Sequence, residues 1–165
     1  MRLLHQHEPA IMGAVLESDI YCEAICDGRH LHPGVVRLLL KTKGNRRVIA
    51  ITDCIMATGL PDGNYKLGVN DVVVKDGDAR LAETGVRAGS TLTQNVALLN
   101  LLKFTNKSLE EIIPMFTENP ARMLGIFDKI GSIADGKDAD LVILDEENRV
   151  EKVFIQGKTV EMGQK

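Results

Sequence analysis

An excess of charge of either sign is missing from this chain. Its 20 Lys and Arg stand against 23 Asp and Glu, a formal net charge of −3, and the basic residues are scattered. That excludes the basic footprint of a nucleic-acid binder and the polybasic patch of a membrane-surface protein. Long apolar runs are missing too. None approaches the length of a transmembrane helix, and the N-terminus lacks the basic-then-apolar order of a signal peptide. Cysteine is sparse: Cys22, Cys26 and Cys54 are odd in number and lie in apolar or mixed strand-like runs. They are expected to be reduced core thiols of a cytoplasmic protein. The spacing of Cys22 and Cys26 is not matched by a second cysteine pair, which argues against structural zinc. No GxGxxG or GxxxxGK motif marks a nucleotide site. No Ser-His-Asp arrangement is declared by spacing, and GIFDKIGSIADG lacks the pattern of a calcium loop.

What is present predicts a packed α/β unit. Hydrophobic residues make up 44% of the 165 and charged residues 26%, a balance that favours a core over disorder. Residues 8–18 carry a helical apolar face. YCEAICDG, 21–28, reads as a short strand ending in a turn at Asp27-Gly28. Residues 32–44 open with Pro33 and close with lysines and Gly44, the start and stop signals of a helix. RVIAIT, 47–52, suits a strand covered on both faces. Strand, helix and strand in this order predict a βα unit with parallel strands. Residues 65–85 read as an antiparallel excursion. Thr91 with Gln94 and Ser108 with Glu111 have capping-box spacing, the first opening a helix to about Asn106. Asn119-Pro120 resembles a cap followed by proline at the first helical position, with Gly125 as the stop. Residues 140–145 and 150–160 predict a hairpin with alternating side chains in a separate small sheet. Only two or three parallel strands are visible, whereas a closed eight-stranded α/β barrel needs roughly 250 residues. Either this is an unusual small α/β fold or the chain begins partway through a larger one, and the His-rich turn after Met1, with no strand before it, favours the second.

The chemistry-bearing candidates gather where strands end. In VIAITDCIMATGLPDG, 48–63, Asp53 stands where the apolar run stops. That end of a parallel strand is where α/β proteins keep their reactive groups, and a carboxylate there can move a proton between water and a leaving group. A turn cap is the alternative for the same residue. His30 and His32 follow the preceding strand and are expected on the same rim. Metal ligation by the pair, substrate contact by His30, and ordinary loop hydrogen bonding are all open, although Pro33 implies that the strand has ended. His5 and His7 share that spacing within a loop, where they could equally bind an anionic group or nothing. GVRAGST, 85–91, leads toward a helix and could present N–H groups to an anion. A plain tight turn would read the same way.

HEPAIMGAVLES, CDGRHLHP, ITDCIMATGLPDGNYKLG, AGSTLT, ENPARMLG and the tail GSIADGKDADLVILD, taken in order, resemble the amidohydrolase superfamily and within it the N-acetylglucosamine-6-phosphate deacetylases. The resemblance runs from about His5 to about Gly157. It implies the C-terminal portion of a metal-dependent-hydrolase-like (β/α)8 barrel in residues 1–130, with a hairpin excursion at about 65–85. Residues 131–165 would be strands of a small β-sandwich. It further implies hydrolysis of the N-acetyl group of N-acetylglucosamine 6-phosphate, a phosphorylated amino sugar, by a cytoplasmic homodimer. Asp53 would be the acid/base and His30 a substrate contact, with Arg87, Ala88 and Gly89 closing over the sugar.

Departures from the family pattern are equally informative. Such enzymes hold a divalent metal, zinc or iron or similar, through a Glu and two histidines that precede the position matching Met1, so the metal ligands are expected to be absent from this chain. His7 stands where an Arg commonly reaches the sugar phosphate of a neighbouring subunit. Arg87 replaces an apolar residue and is expected to offset that loss. The alternatives are an inactive fragment, a subunit whose partner supplies the missing half-barrel, or an amidohydrolase for another cyclic amide or N-acyl sugar.

Overall fold

The computed structural model describes residues 2–161. Residue 1 and residues 162–165, assigned by sequence to the barrel and sandwich segments, lie outside the described residues. After α1 (Ala10–Glu17), strand β1 (Cys22–Ile25) leads through α2 (Pro33–Lys43) to β2 (Val48–Ile51). The two strands pair in parallel, with Cys22 opposite Val48 and Ile25 opposite Ile51, as the strand-helix-strand rhythm predicts. Local chemistry sets the boundaries of α2. His32 is extended and its Nδ1 accepts the Gly34 N–H at 3.1 Å, Pro33 fills the first turn, and Gly44 ends the helix at φ +68°. Val36, Leu39 and Leu40 turn inward against Ala24, Val48 and Ala50.

Helix α3 (Gln94–Thr105) covers that core with Leu98 and Leu101, and the Asn100 Nδ2 donates to the Cys26 carbonyl at 2.9 Å. Its cap is Thr93, whose side chain accepts from the Val96 N–H, rather than the expected Thr91. Thr91 instead donates its hydroxyl to the Gly77 carbonyl at 2.6 Å. Asn106 closes α3 in the left-handed conformation, and Ser108 with Glu111 forms the expected capping box on α4 (Leu109–Ile112). Asn119 is a second correction. It lies inside α5 (Glu118–Met123), 2% exposed, and its Nδ2 donates to the carbonyls of Asn45 and Val48 at 2.6 Å each. The side chain thus ties a helix to the start of β2 instead of capping its own helix.

The excursion is a meander of β3 (Gly63–Leu67), β4 (Asn70–Lys75) and β5 (Asp78–Leu81), all antiparallel. Val72 and Val74 alternate inward onto a second core with Ile55, Ala57 and Ala79. A third sheet holds β6 (Leu141–Leu144), β7 (Val150–Ile155) and β8 (Lys158–Thr159). The expected strand over 150–160 breaks at Gln156-Gly157, both at positive φ, and returns as β8. Strict alternation also fails. The β6–β7 register shifts between Ile143 and Leu144, and Val142 and Ile143 are both exposed.

Burial pushes the Cys26 thiol up to about 12, with Asp27 and Cys22 adding to it, as befits an inert core residue. Cys54 is exposed, contrary to the core placement expected for it, because it follows the end of β2 onto the rim. Among the described residues no helix is long and apolar enough to cross a membrane.

Candidate functional site at the strand ends

Asp53 lies two residues beyond β2, exposed, with φ +48°. A left-handed backbone is uncommon for any residue but glycine, and Asp and Asn tolerate it better than most. The opposite segment holds it there. The Ser90 N–H donates to the Asp53 carbonyl at 2.8 Å, and the Ile55 N–H donates to the Ser90 carbonyl at 2.9 Å. The buried Ser90 hydroxyl donates to the Thr52 carbonyl. Gly89, at φ +62°, makes this approach possible. A Cβ there would sit 2.5 Å from Ile55 Cγ2, 2.9 Å from the Asp53 carbonyl oxygen and 3.9 Å from Asp53 Oδ2. The N–H groups of Ala88, Ser90 and Leu92 bond to Ala79, Asp53 and Ser90. Residues 88–92 therefore form a fixed seam, and the anion cradle considered for GVRAGST has lost those donors.

His30 is set by the turn after β1. Asp27 Oδ1 accepts the N–H groups of Arg29 at 2.8 Å and His30 at 2.7 Å, while Asp27 Oδ2 lies 2.7 Å from His30 Nδ1. Burial alone would raise the Asp27 carboxyl. The hydrogen bonds from the His30 backbone and ring and from the Arg29 N–H outweigh it and hold the group below the usual carboxylate range. His32 caps α2, so its Nδ1 is engaged by the Gly34 N–H. Among the described residues no three His, Cys, Asp or Glu side chains are grouped to hold a metal.

Arg87 joins the two halves of the rim. Its Nε and Nη2 donate to the Asp78 carboxylate at 2.8 and 3.2 Å, and its Nη1 donates to the Arg29 carbonyl at 3.2 Å. The Nε–Nη2 edge is thereby occupied, and a phosphate contact would have to compete with this bidentate pair. Arg29 in turn donates to the Asp76 carbonyl, and Asp62 accepts the N–H groups of Asp76 and Gly77. The Arg87 hydrogen bond, opposed by burial and aided by Arg80, holds Asp78 below the usual carboxylate range. A carboxylate with a depressed folded-state pKa stabilises the fold above its unfolded pKa of about 3.9, and that stability is lost as pH falls through the lower folded value. Asp78→Asn removes this group. The melting temperature of the variant is expected to fall less than that of the parent between about pH 5 and pH 2.5. Thermal melts across that window check it.

The strand ends thus gather Asp53, His30, Arg87, Ala88 and Gly89 into one bonded rim. No hydrogen bond or ion pair links His7 to it among the described residues. His7 lies in the N-terminal loop, exposed, its ring 5.3 Å from that of His5. Asp27 and Asp78 were not singled out by sequence as site residues. The spacing of Asp27 and His30 within DGRH was the available signal for the first, whereas the Asp78–Arg87 pair depends on a hairpin fold that spacing does not reveal.

Known proteins resemble this chain over nearly its whole length. The amidohydrolase family model matches residues 4–160. The chain is 40% identical over 158 residues to an N-acetylglucosamine-6-phosphate deacetylase of Bacillus subtilis, covering 95% of this chain and 40% of that protein. It is 38% identical over 156 residues to a provisionally named N-acetylgalactosamine-6-phosphate deacetylase of Escherichia coli (strain K12), covering 94% of this chain and 92% of that protein. The crystal structure of N-acetylglucosamine-6-phosphate deacetylase from Thermotoga maritima superposes with a TM-score of 0.92 at 41% identity, covering 98% of this chain and 44% of that one. The chain therefore spans about 40% of the Bacillus protein and nearly all of the Escherichia coli K12 one. With the family model spanning both cores and the rim between them, this chain belongs to the amidohydrolase family.

Proposed function

We propose that this chain is the carboxyl-terminal part of a deacetylase that removes acetate from N-acetylglucosamine 6-phosphate, with Asp53 as its acid/base. Asp53 takes a proton from water as the water oxygen attacks the acetyl carbonyl carbon. It returns that proton to the nitrogen as the C–N bond breaks, leaving acetate and glucosamine 6-phosphate. One observation carries the reading. A carboxylate at the carboxyl end of a parallel strand is held in a strained backbone conformation by Gly89 and Ser90, on a rim bonded through Arg87 to the His30 loop. His30 would contact the sugar, and residues 87–89 would close over it. A neutral His7 is a weaker phosphate ligand than an arginine and gains charge only when protonated.

In this reading β1, β2 and the Ser90 segment are neighbouring strands of an incomplete (β/α)8 barrel, and β6–β8 belong to a small β-sandwich. The finished enzyme would be a cytoplasmic homodimer. A divalent metal such as zinc or iron polarises the attacking water in enzymes of this kind, but the donors among the described residues do not fit one. We assign its ligands to polypeptide outside this chain, either a preceding segment or a partner, and no step of this chain's chemistry runs through it.

The purified chain supplied with zinc, iron or cobalt is expected to release no acetate. The same chain co-expressed with the amino-terminal part of the Bacillus subtilis relative is expected to release it. Release by the chain alone would refute the incompleteness, and a folded pair inactive on every N-acetylhexosamine phosphate would refute the deacetylase. The Escherichia coli K12 relative of similar length favours a second reading, in which the substrate is the galactosamine epimer. A higher kcat/KM for N-acetylgalactosamine 6-phosphate in the same assay would select it.

A further inference from the structure

The turn after β1 is built around one carboxylate with three donors. Asp27 Oδ1 takes the N–H groups of Arg29 and His30, and Oδ2 faces His30 Nδ1 at 2.7 Å. Its side chain is 11% exposed and that of His30 is 23% exposed. An Asx turn needs only the first oxygen. The second has no backbone duty, and an ionised carboxylate can only accept. The ring proton facing it must therefore be on Nδ1, which leaves Nε2, on the opposite edge of the ring, as the ring nitrogen of neutral His30 with no partner among the described residues. The turn cannot easily rotate away, because the Arg29 carbonyl is held by Arg87 and the Arg29 guanidinium by the Asp76 carbonyl.

We infer that Asp27 is a positioning residue: it locks His30 in the Nδ1–H tautomer and presents the Nε2 lone pair as an acceptor for a substrate hydroxyl. The hydroxyl half of this statement rests on the deacetylase reading, and the tautomer half does not. The distinction from a simple turn role lies in what asparagine would do at position 27. In Asp27→Asn the amide oxygen can keep both backbone N–H donors, so the turn survives, but an NH₂ group then replaces Oδ2 opposite His30. Nδ1 must become the acceptor, and the proton moves to Nε2.

Long-range ¹H–¹⁵N correlation spectra of the purified chain at about pH 8.5, where ordinary imidazoles are neutral, read the tautomer directly. His30→Gln assigns the His30 signals. The parent is expected to show the Nδ1–H form in about tenfold or greater excess, from a charge-assisted hydrogen bond, and Asp27→Asn the reverse excess. A parent with mixed tautomers overturns the inference without any variant. An Asp27→Asn chain that matches the parent's circular dichroism yet keeps the Nδ1–H form also overturns it, since Asp27 would then only close the turn. Neither result depends on acetate release, so a failure here and a failure of the deacetylase assay are separable.

Discussion

Asp53→Asn in the co-expressed enzyme is expected to lower kcat by about 10²- to 10⁴-fold, the usual contribution of a positioned acid/base, with KM little changed. Asparagine is the informative substitution. It is nearly the same shape, and it tolerates the φ of +48° that Asp53 adopts. The carbonyl that accepts from Ser90 is backbone and remains in place. Alanine would mix loss of the carboxylate with backbone strain. Kinetic constants measured beside a melting curve separate the two effects, and a loss in kcat smaller than tenfold at unchanged stability would remove Asp53 from the proton transfer.

Gly89→Ala is expected to destabilise the chain by about 1–3 kcal/mol, and possession of a methyl group is only part of the reason. The added carbon would lie 2.5 Å from Ile55 Cγ2 and 2.9 Å from the Asp53 carbonyl oxygen, neither of which is the free end of a flexible side chain. Gly59→Ala supplies the comparison. Gly59 also has positive φ, at +81°, but nothing lies within 4 Å of the Cβ it would gain. Both variants carry the left-handed penalty, and only the first carries the overlap. Denaturant unfolding of the two should show the larger loss at Gly89, and equal losses would mean the seam yields freely. In the assembled enzyme Gly89→Ala should also reduce kcat, because the displaced atoms belong to Asp53 itself.

The parallel strands, and the place of Asp53 just past the second of them, were legible because their signal is local. A short β-branched run ending in an acid amid Gly, Thr and Pro needs no long-range information. The helix starts show the limit. Ser108 and Glu111 satisfy each other within one turn, so spacing alone found them. Thr91 has the same spacing to Gln94, yet the Gly77 carbonyl from a distant hairpin takes its hydroxyl and leaves the cap to Thr93. Asn119 repeats the lesson, since its partners lie more than 70 residues away. His32 went the other way: its Nδ1 accepts a backbone N–H only two residues on, a local helix cap at a spacing that also suited a metal pair. Family resemblance alone assigns His7 to the sugar phosphate of a neighbouring subunit, and within this chain no hydrogen bond or ion pair among the described residues links it to the rim.

Hairpin 76–78 makes no hydrogen bond to the His30 ring or the Asp53 carboxylate among the described residues, but it grips Arg29 through the Asp76 carbonyl and Arg87 through Asp78. Those two arginines bracket the histidine turn on one side and the glycine seam on the other. Adjusting the meander's tip is thus a remote handle on the spacing between imidazole and carboxylate, one that leaves both groups chemically untouched.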